Sequence, residues 1–211
     1  MPIAPQSEIM GEHQDDDPDA IESIGHVLGI AGVIVAIAGL ALSIGLAQDF
    51  SLQENALSDL GGPDVDAPWI FNATVIIGGV FASIFFLTLI RRLSNRYQQI
   101  GVGLFLIASL SLVGVGLFPI DHDLHLGMAF GFFLGITLGL IVVGYGDREV
   151  GLERRSKIAW NLALLHIIAW SFAYMALDGV ALPELVGVVA YGIWILITII
   201  QRGRILPHDV I

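Results

Sequence analysis

Six apolar stretches alternate with short polar segments along the chain. They run over about residues 24–47, 69–90, 99–118, 124–145, 158–177 and 182–200, each close to the ~20 residues that an α-helix needs to cross ~30 Å of hydrocarbon. Within each stretch the apolar residues are continuous, whereas a transmembrane barrel would show shorter segments of strict alternation. The pattern predicts an all-α fold: a six-helix transmembrane bundle over residues 21–204. Residues 1–20 are polar and acidic, with Asp15, Asp16, Asp17 and Asp19 at their centre. Such a segment buries too little apolar area to offset the entropy of ordering, so a disordered acidic tail is expected there. Residues 205–211 form a short C-terminal tail.

The polar segments differ in charge, and that difference sets an orientation. Arg91, Arg92 and Arg96 follow the second span, and Arg148, Arg154, Arg155 and Lys157 follow the fourth. Arg202 and Arg204 follow the sixth. The segments after spans one, three and five hold no basic residue. Basic residues concentrate in cytoplasmic loops, which predicts a multi-pass protein of the cell membrane with both termini in the cytoplasm. The loop of residues 48–68, the joint Asp121–His125 and the Asp178/Glu184 turn then face outside.

Small residues add a packing expectation. Gly127, Gly131, Gly135 and Gly139 recur every fourth residue on the fourth span. A strip of this kind lets helix backbones approach closely, so the fourth helix is expected to be central.

Candidate chemistry lies in the outward segments. The first holds Asn55, Ser58 and Asp59, with Asn72 just inside the second span; the next holds Asp121, His122, Asp123 and His125; the last holds Asp178 and Glu184. If the fourth helix begins by Asp121, Asp121 and His125 share a face. A carboxylate and an imidazole one turn apart can grip a divalent cation, with Asp59 as a further ligand, or work as an acid–base pair. The plainer reading makes Asp121 or Asp123 a helix N-cap and the remaining acids solvated loop residues. His166 lies at membrane depth, where polar groups are uncommon; a neutral imidazole bonded to Ser171, Asn161 or another helix accounts for it.

Composition agrees with the pattern. Mean hydropathy is +0.81 and only 14% of residues are charged, well below the ~25% of soluble domains. Net charge is −11, and Lys157 is the only lysine among nine basic residues, a balance that suits a high-salt environment. Nine scattered cations build no nucleic-acid groove. The absence of cysteine removes disulfides and thiolate metal sites.

The segments Asn55-Ala56-Leu57-Ser58-Asp59-Leu60-Gly61, Phe71-Asn72 and Val115-Gly116-Leu117-Phe118-Pro119, with Asp121 and His125, resemble the multi-pass membrane proteins grouped as domain of unknown function 998. The resemblance covers roughly residues 24–200. It implies that Ser58, Asp59, Asn72, Pro119, Asp121 and His125 belong to one arrangement on the outer face. A weaker similarity connects the chain to the seven-span zinc hydrolases of the alkaline ceramidase and adiponectin receptor type, from which it departs by having one span fewer and His122 and His125 three apart.

The function expected is that of an integral membrane protein whose outward polar site, drawn from Asn55, Ser58, Asp59, Asn72, Asp121, His122 and His125, takes a cation or a small polar headgroup. The candidate cofactor is a divalent metal ion on Asp59, Asp121 and His125. Three alternatives stay open: a metal-dependent hydrolase acting on lipid, a transporter, and a structural or partner-binding bundle.

Overall fold

The computed structural model describes residues 18–201, and the expectations for the two tails fall largely outside that range. Six helices follow in order: α1 (Pro18–Leu46), α2 (Pro68–Ile90), α3 (Arg96–Leu117), α4 (His125–Glu149), α5 (Glu153–Ala176) and α6 (Ala181–Ile200). A 3₁₀ turn, Leu57–Gly61, interrupts the long loop between α1 and α2. No strand occurs among the described residues. All six helices are long and apolar enough to cross a membrane, and the chain is a multi-pass membrane protein of all-α fold. α1 begins at Pro18, within the stretch expected to be disordered.

Local chemistry sets several helix ends. Pro68 sits in the first turn of α2, where a missing N–H costs nothing. Asn95 caps α3, its side-chain oxygen accepting from the N–H of Tyr97 at 2.9 Å and of Gln98 at 3.1 Å. Gly151 takes φ +80° in the turn between α4 and α5, a left-handed conformation that favours glycine.

Short loops make sequential helices antiparallel neighbours. The most extensive packing runs through α1–α2, α2–α3 and α3–α4, while α1 and α6 touch only sparsely. An aromatic cluster fills the centre. Phe86 stacks on Phe105 at 5.3 Å, Phe132 meets Tyr191 edge-on at 5.7 Å, and Trp194 approaches Phe105 at 6.3 Å. Large apolar residues also cover the outside, including Leu126, Phe130, Tyr174 and Met175. In water that surface would be a liability; in a bilayer it is the solvated face.

The glycines of α4 divide by neighbour. A methyl group on Gly135 would lie 2.9 Å from the Ala108 Cβ, one on Gly139 2.8 Å from the Phe105 ring, and one on Gly131 2.7 Å from the Ser111 hydroxyl. These three glycines therefore set the closeness of α3 and α4. Gly127 faces open space.

Candidate functional site

At the end of the bundle that carries the Leu57–Gly61 turn, the loop between α1 and α2 folds inward over the helix ends. Leu57 and Leu60 pack beneath it against Leu40, Phe71, Val115 and Ala181. Asn55 is the hub. Its side-chain oxygen accepts from the Ser51 N–H at 2.9 Å, and its amide donates to Asp59 Oδ2 at 3.1 Å. Its carbonyl accepts from the N–H groups of both Val180 and Ala181, tying the loop to the start of α6. A side chain at Gly179 would collide with the backbone of Glu54 and Asn55, so the small residue permits that docking. Asn72 fastens the other edge by donating to the Gly61 carbonyl at 3.0 Å, while its Oδ1 is buried with no hydrogen-bond partner.

Two carboxylates grip successive peptide groups of this loop. The Ala56 N–H donates to Asp59 Oδ2 at 2.9 Å, and the Leu57 N–H donates to Glu184 Oε2 at 2.6 Å. Glu184 lies in the first turn of α6 and is only 5% exposed. Glu184 lines a partly open cavity of about 60 Å³ together with Ser58 and Thr74, the rest of the wall being apolar, chiefly Leu40, Phe71, Val115 and Phe132. Thr74 satisfies its own hydroxyl on the Ile70 carbonyl. The bond from Leu57 is the one hydrogen bond to the Glu184 carboxylate among the described residues.

The joint between α3 and α4 differs from the sequence expectation. α4 starts at His125, with Leu124 at the cap position and no side-chain cap. Asp121 therefore lies outside the helix, so the shared-face argument for Asp121 and His125 does not apply. Neither Asp121 nor Asp123 caps the helix. Two successive tight turns replace the early helix start: the His122 N–H bonds to the Pro119 carbonyl and the His125 N–H to the His122 carbonyl. Asp121, His122 and Asp123 are exposed, whereas His125 is buried. His122 folds back, its Nδ1 accepting from the Leu124 N–H at 3.1 Å and its ring lying 4.8 Å from Phe118. His125 Nδ1 donates to the Phe118 carbonyl at 2.7 Å, since that carbonyl can only accept. Its Nε2 is buried without a partner.

Of the seven expected site residues, Asn55 and Asp59 bond directly, Ser58 lines the cavity beneath them, and Asn72 holds the loop edge. Asp121 and His122 stand at the surface, and His125 is engaged with Phe118. Among the described residues no group of three or more His, Cys, Asp or Glu is placed to hold a metal ion. The trio Asp59, Asp121 and His125 does not form such a group. Asp49, Asp59, Asp64 and Asp66 border a separate open bowl of about 640 Å³ above the loop.

Two polar networks lie elsewhere. At the opposite end, Asp147 of α4 pairs with Arg155 of α5 at 2.9 Å, both buried. Gln98 of α3 donates to the second Asp147 oxygen at 2.8 Å, and the Arg155 guanidinium sits 4.7 Å above the Trp194 ring. Halfway along α5, His166 accepts at Nε2 from the Trp170 indole N–H, 2.9 Å away. An indole nitrogen only donates, so the proton of this imidazole resides on Nδ1. Nδ1 then donates to Thr137 on α4, whose hydroxyl passes its proton to the Phe133 carbonyl. Of the partners expected, Ser171, Asn161 or another helix, the last is met by Thr137 on α4, with Trp170 of α5 on the other nitrogen, and Ser171 bonds back to Ile167.

The sequence alone did not single out Thr74 or the Asp147–Arg155 pair, and it offered Glu184 only as an outward acid beside Asp178. A lone carboxylate inside the apolar run of α6 was the available signal for Glu184.

No curated protein and no solved structure matches this chain. Residues 30–201 do match the family described as protein of unknown function (DUF998). That match covers most of the chain, which therefore belongs to this family of multi-pass membrane proteins.

Proposed function

We propose that this protein is a membrane-embedded binding protein whose extracytoplasmic end takes the small polar headgroup of a bilayer amphiphile, held by Glu184 and Ser58 beneath the Asn55–Asp59 loop. The observation that carries this reading is the Glu184 carboxylate. Glu184 is buried, its carboxylate accepts one hydrogen bond on one oxygen among the described residues, and the residue lines a cavity with otherwise mostly apolar walls. A buried carboxylate needs more partners than one N–H. The cavity of about 60 Å³ has room for a few water-sized groups. That suits an amine or hydroxyl head and is too small for a phosphocholine. Ser58 lines the same wall but no histidine does, which places binding ahead of hydrolysis.

The orientation rests on the basic residues; those described, Arg91 to Lys157, lie around the α2–α3 and α4–α5 turns, at the end opposite the cavity. Because the chain has no cysteine, single cysteines at Asp64 and Lys157 report it directly. An impermeant thiol reagent on intact cells should label the first and spare the second; the reverse pattern would invert the topology.

The binding reading is tested by native mass spectrometry of the protein released from gentle detergent. Wild type and a Gly127→Ala control should retain a co-purifying amphiphile that Glu184→Gln loses. Equal retention by Glu184→Gln would remove Glu184 from the site.

A further inference from the structure

We infer that the ligand is a single-chain amphiphile with a hydrogen-bond-donating head, foremost a long-chain amine, and that its tail reaches the site from the bilayer between α1 and α6. This inference rests on the headgroup reading above and adds the tail's path and the sign of the head.

The path is a second cavity, of about 350 Å³, between α1, α2 and α6. That volume falls in the ~300–1,000 Å³ range of small-molecule sites. Ala36, Leu40, Gly78, Leu112, Phe132 and Val188 border both this cavity and the one under Glu184, so the two adjoin through a common wall. The larger cavity is almost wholly apolar in lining, with the Tyr191 side chain as its polar exception. That hydroxyl is already engaged with Ser109. A chamber without polar groups to satisfy matches a hydrocarbon tail and gives water little to bond.

The seam between α1 and α6 is sparsely packed. The two helices make few contacts, and small residues face the chamber from both sides, Gly32 and Ala36 on α1 and Gly192 on α6. A methyl group on Gly192 would come no nearer than 3.7 Å to Val33, and one on Gly78 would meet only the Gly32 carbonyl at 3.9 Å. Gly135 and Gly101 instead have backbone or side-chain atoms within 3 Å of such a methyl. The glycines of the α3–α4 contact leave no room for a methyl group, whereas at Gly78 and Gly192 one would reach only ordinary van der Waals distance; Gly32 is tighter, with the Phe81 Cβ at 3.3 Å.

The head's chemistry follows from the acceptors. Glu184 is the carboxylate residue that lines the smaller cavity, where it accepts from the Leu57 N–H; Asp59, which accepts from the neighbouring Ala56 N–H, borders the open bowl instead. No basic side chain lines either cavity. An ammonium supplies both donors and opposite charge; a hydroxyl supplies a donor; a carboxylate or phosphate head would meet like charge.

The test uses diazirine-bearing hexadecylamine, hexadecanol and palmitate in vesicles holding the full chain, with cross-linked residues mapped by mass spectrometry. Hexadecylamine should label chamber residues such as Leu185 and Val188 most strongly, hexadecanol less and palmitate least. Glu184→Gln should reduce the preference for amine over acid by about tenfold, the effect expected for losing a charge-assisted hydrogen bond. Gly192→Phe should abolish chamber labelling by all three probes, with Gly78→Leu as a second plug and Gly127→Phe, on an open face, as the control. Palmitate labelling the chamber as well as the amine would overturn the head assignment and leave the tail path standing. Labelling of the fully lipid-exposed Tyr174 and Met175 as strong as that of the chamber, or undiminished by both plugs in folded protein, would overturn the path itself.

Discussion

The Asp147–Arg155 pair offers the sharpest test of how this bundle holds its charges. Asp147→Ala would leave the Arg155 guanidinium, 1% exposed, with only the Trp194 ring against it. Removing one partner of a buried ion pair costs about 3–5 kcal/mol, because the survivor keeps its desolvation penalty without its counter-charge. The Gln98 amide would lose its acceptor as well, adding about 1 kcal/mol. At ~2–4 °C per kcal/mol for a chain of this size, the melting temperature should fall by about 10 °C or more. Arg155→Met should cost a comparable amount, since Asp147 would retain only Gln98. The double variant Asp147→Leu/Arg155→Met removes both charges and fills their space with apolar atoms. It should be more stable than either single variant.

Intrinsic tryptophan fluorescence during heating in mild detergent measures all four proteins, with Trp194 beside the substituted site as reporter. Single variants melting within about 2 °C of wild type would show that the pair is not electrostatically coupled. A double variant losing the sum of the two single losses would show the same, because independent sites add and coupled ones do not.

Three further outcomes follow from contacts elsewhere. Gly135→Leu must push α4 away from Ala108 and the Leu104 carbonyl, whereas the Cβ of Gly127→Leu meets nothing within 4 Å; overpacking of this kind costs about 1–3 kcal/mol or more, so folded yield in detergent should drop for the first alone, and equal yields would contradict the α3–α4 contact. Glu184→Ala deprives the Leu57 N–H of its acceptor, and a hydrogen bond to a charged group contributes about 1.5–3 kcal/mol. Limited proteolysis within residues 48–67 should therefore quicken in this variant and much less in Glu184→Gln, which keeps an acceptor oxygen; identical cleavage in all three would remove Glu184 as the loop's anchor. Thr137→Val and Trp170→Phe each strand one nitrogen of His166 at about 1–3 kcal/mol, and thermal unfolding should show both losses shrinking in a His166→Phe background.

The six helices were legible because a bilayer leaves the backbone little choice. Every N–H and C=O must be satisfied within the segment, so an unbroken apolar run of sufficient length becomes a helix. The polar residues were less legible, and each for a definite reason. The pairing of Asp121 with His125 presupposed helix from Asp121 onward, but the turns after Pro119 delay α4 to His125 and turn Asp121 outward. Arg155 was counted as one of several loop cations, yet the turn at Gly151 brings α5 back so tightly that its first turn meets Asp147 in the last turn of α4. Glu184 was read as an outward acid beside Asp178, because nothing local says which way the first turn of α6 faces. That direction is set by the Asn55 carbonyl, which fixes the backbone at Val180 and Ala181 from a loop more than a hundred residues earlier in the chain.

Comparison of the two ends separates a charge pair that neutralises itself from the carboxylate on which the proposed binding rests. Asp147 and Arg155 are as deeply buried as Glu184, but they neutralise each other, and Gln98 satisfies the second aspartate oxygen. What remains is an ion-paired contact among α3, α4 and α5, in which each carboxylate oxygen has a neighbour, Arg155 Nε or Gln98 Nε2, while Arg155 Nη1 is buried without a hydrogen-bond partner. Among the described residues Glu184 has no cation beside it and one N–H on one oxygen, and it lines a cavity. A low-dielectric interior makes an incompletely paired carboxylate costly. Such a group persists in a fold when some partner completes it for much of the protein's life. Water can do so in a polar cavity, but the walls here are apolar and adjoin a chamber that borders lipid. The group best suited to complete Glu184 therefore brings its own donor and its own hydrocarbon.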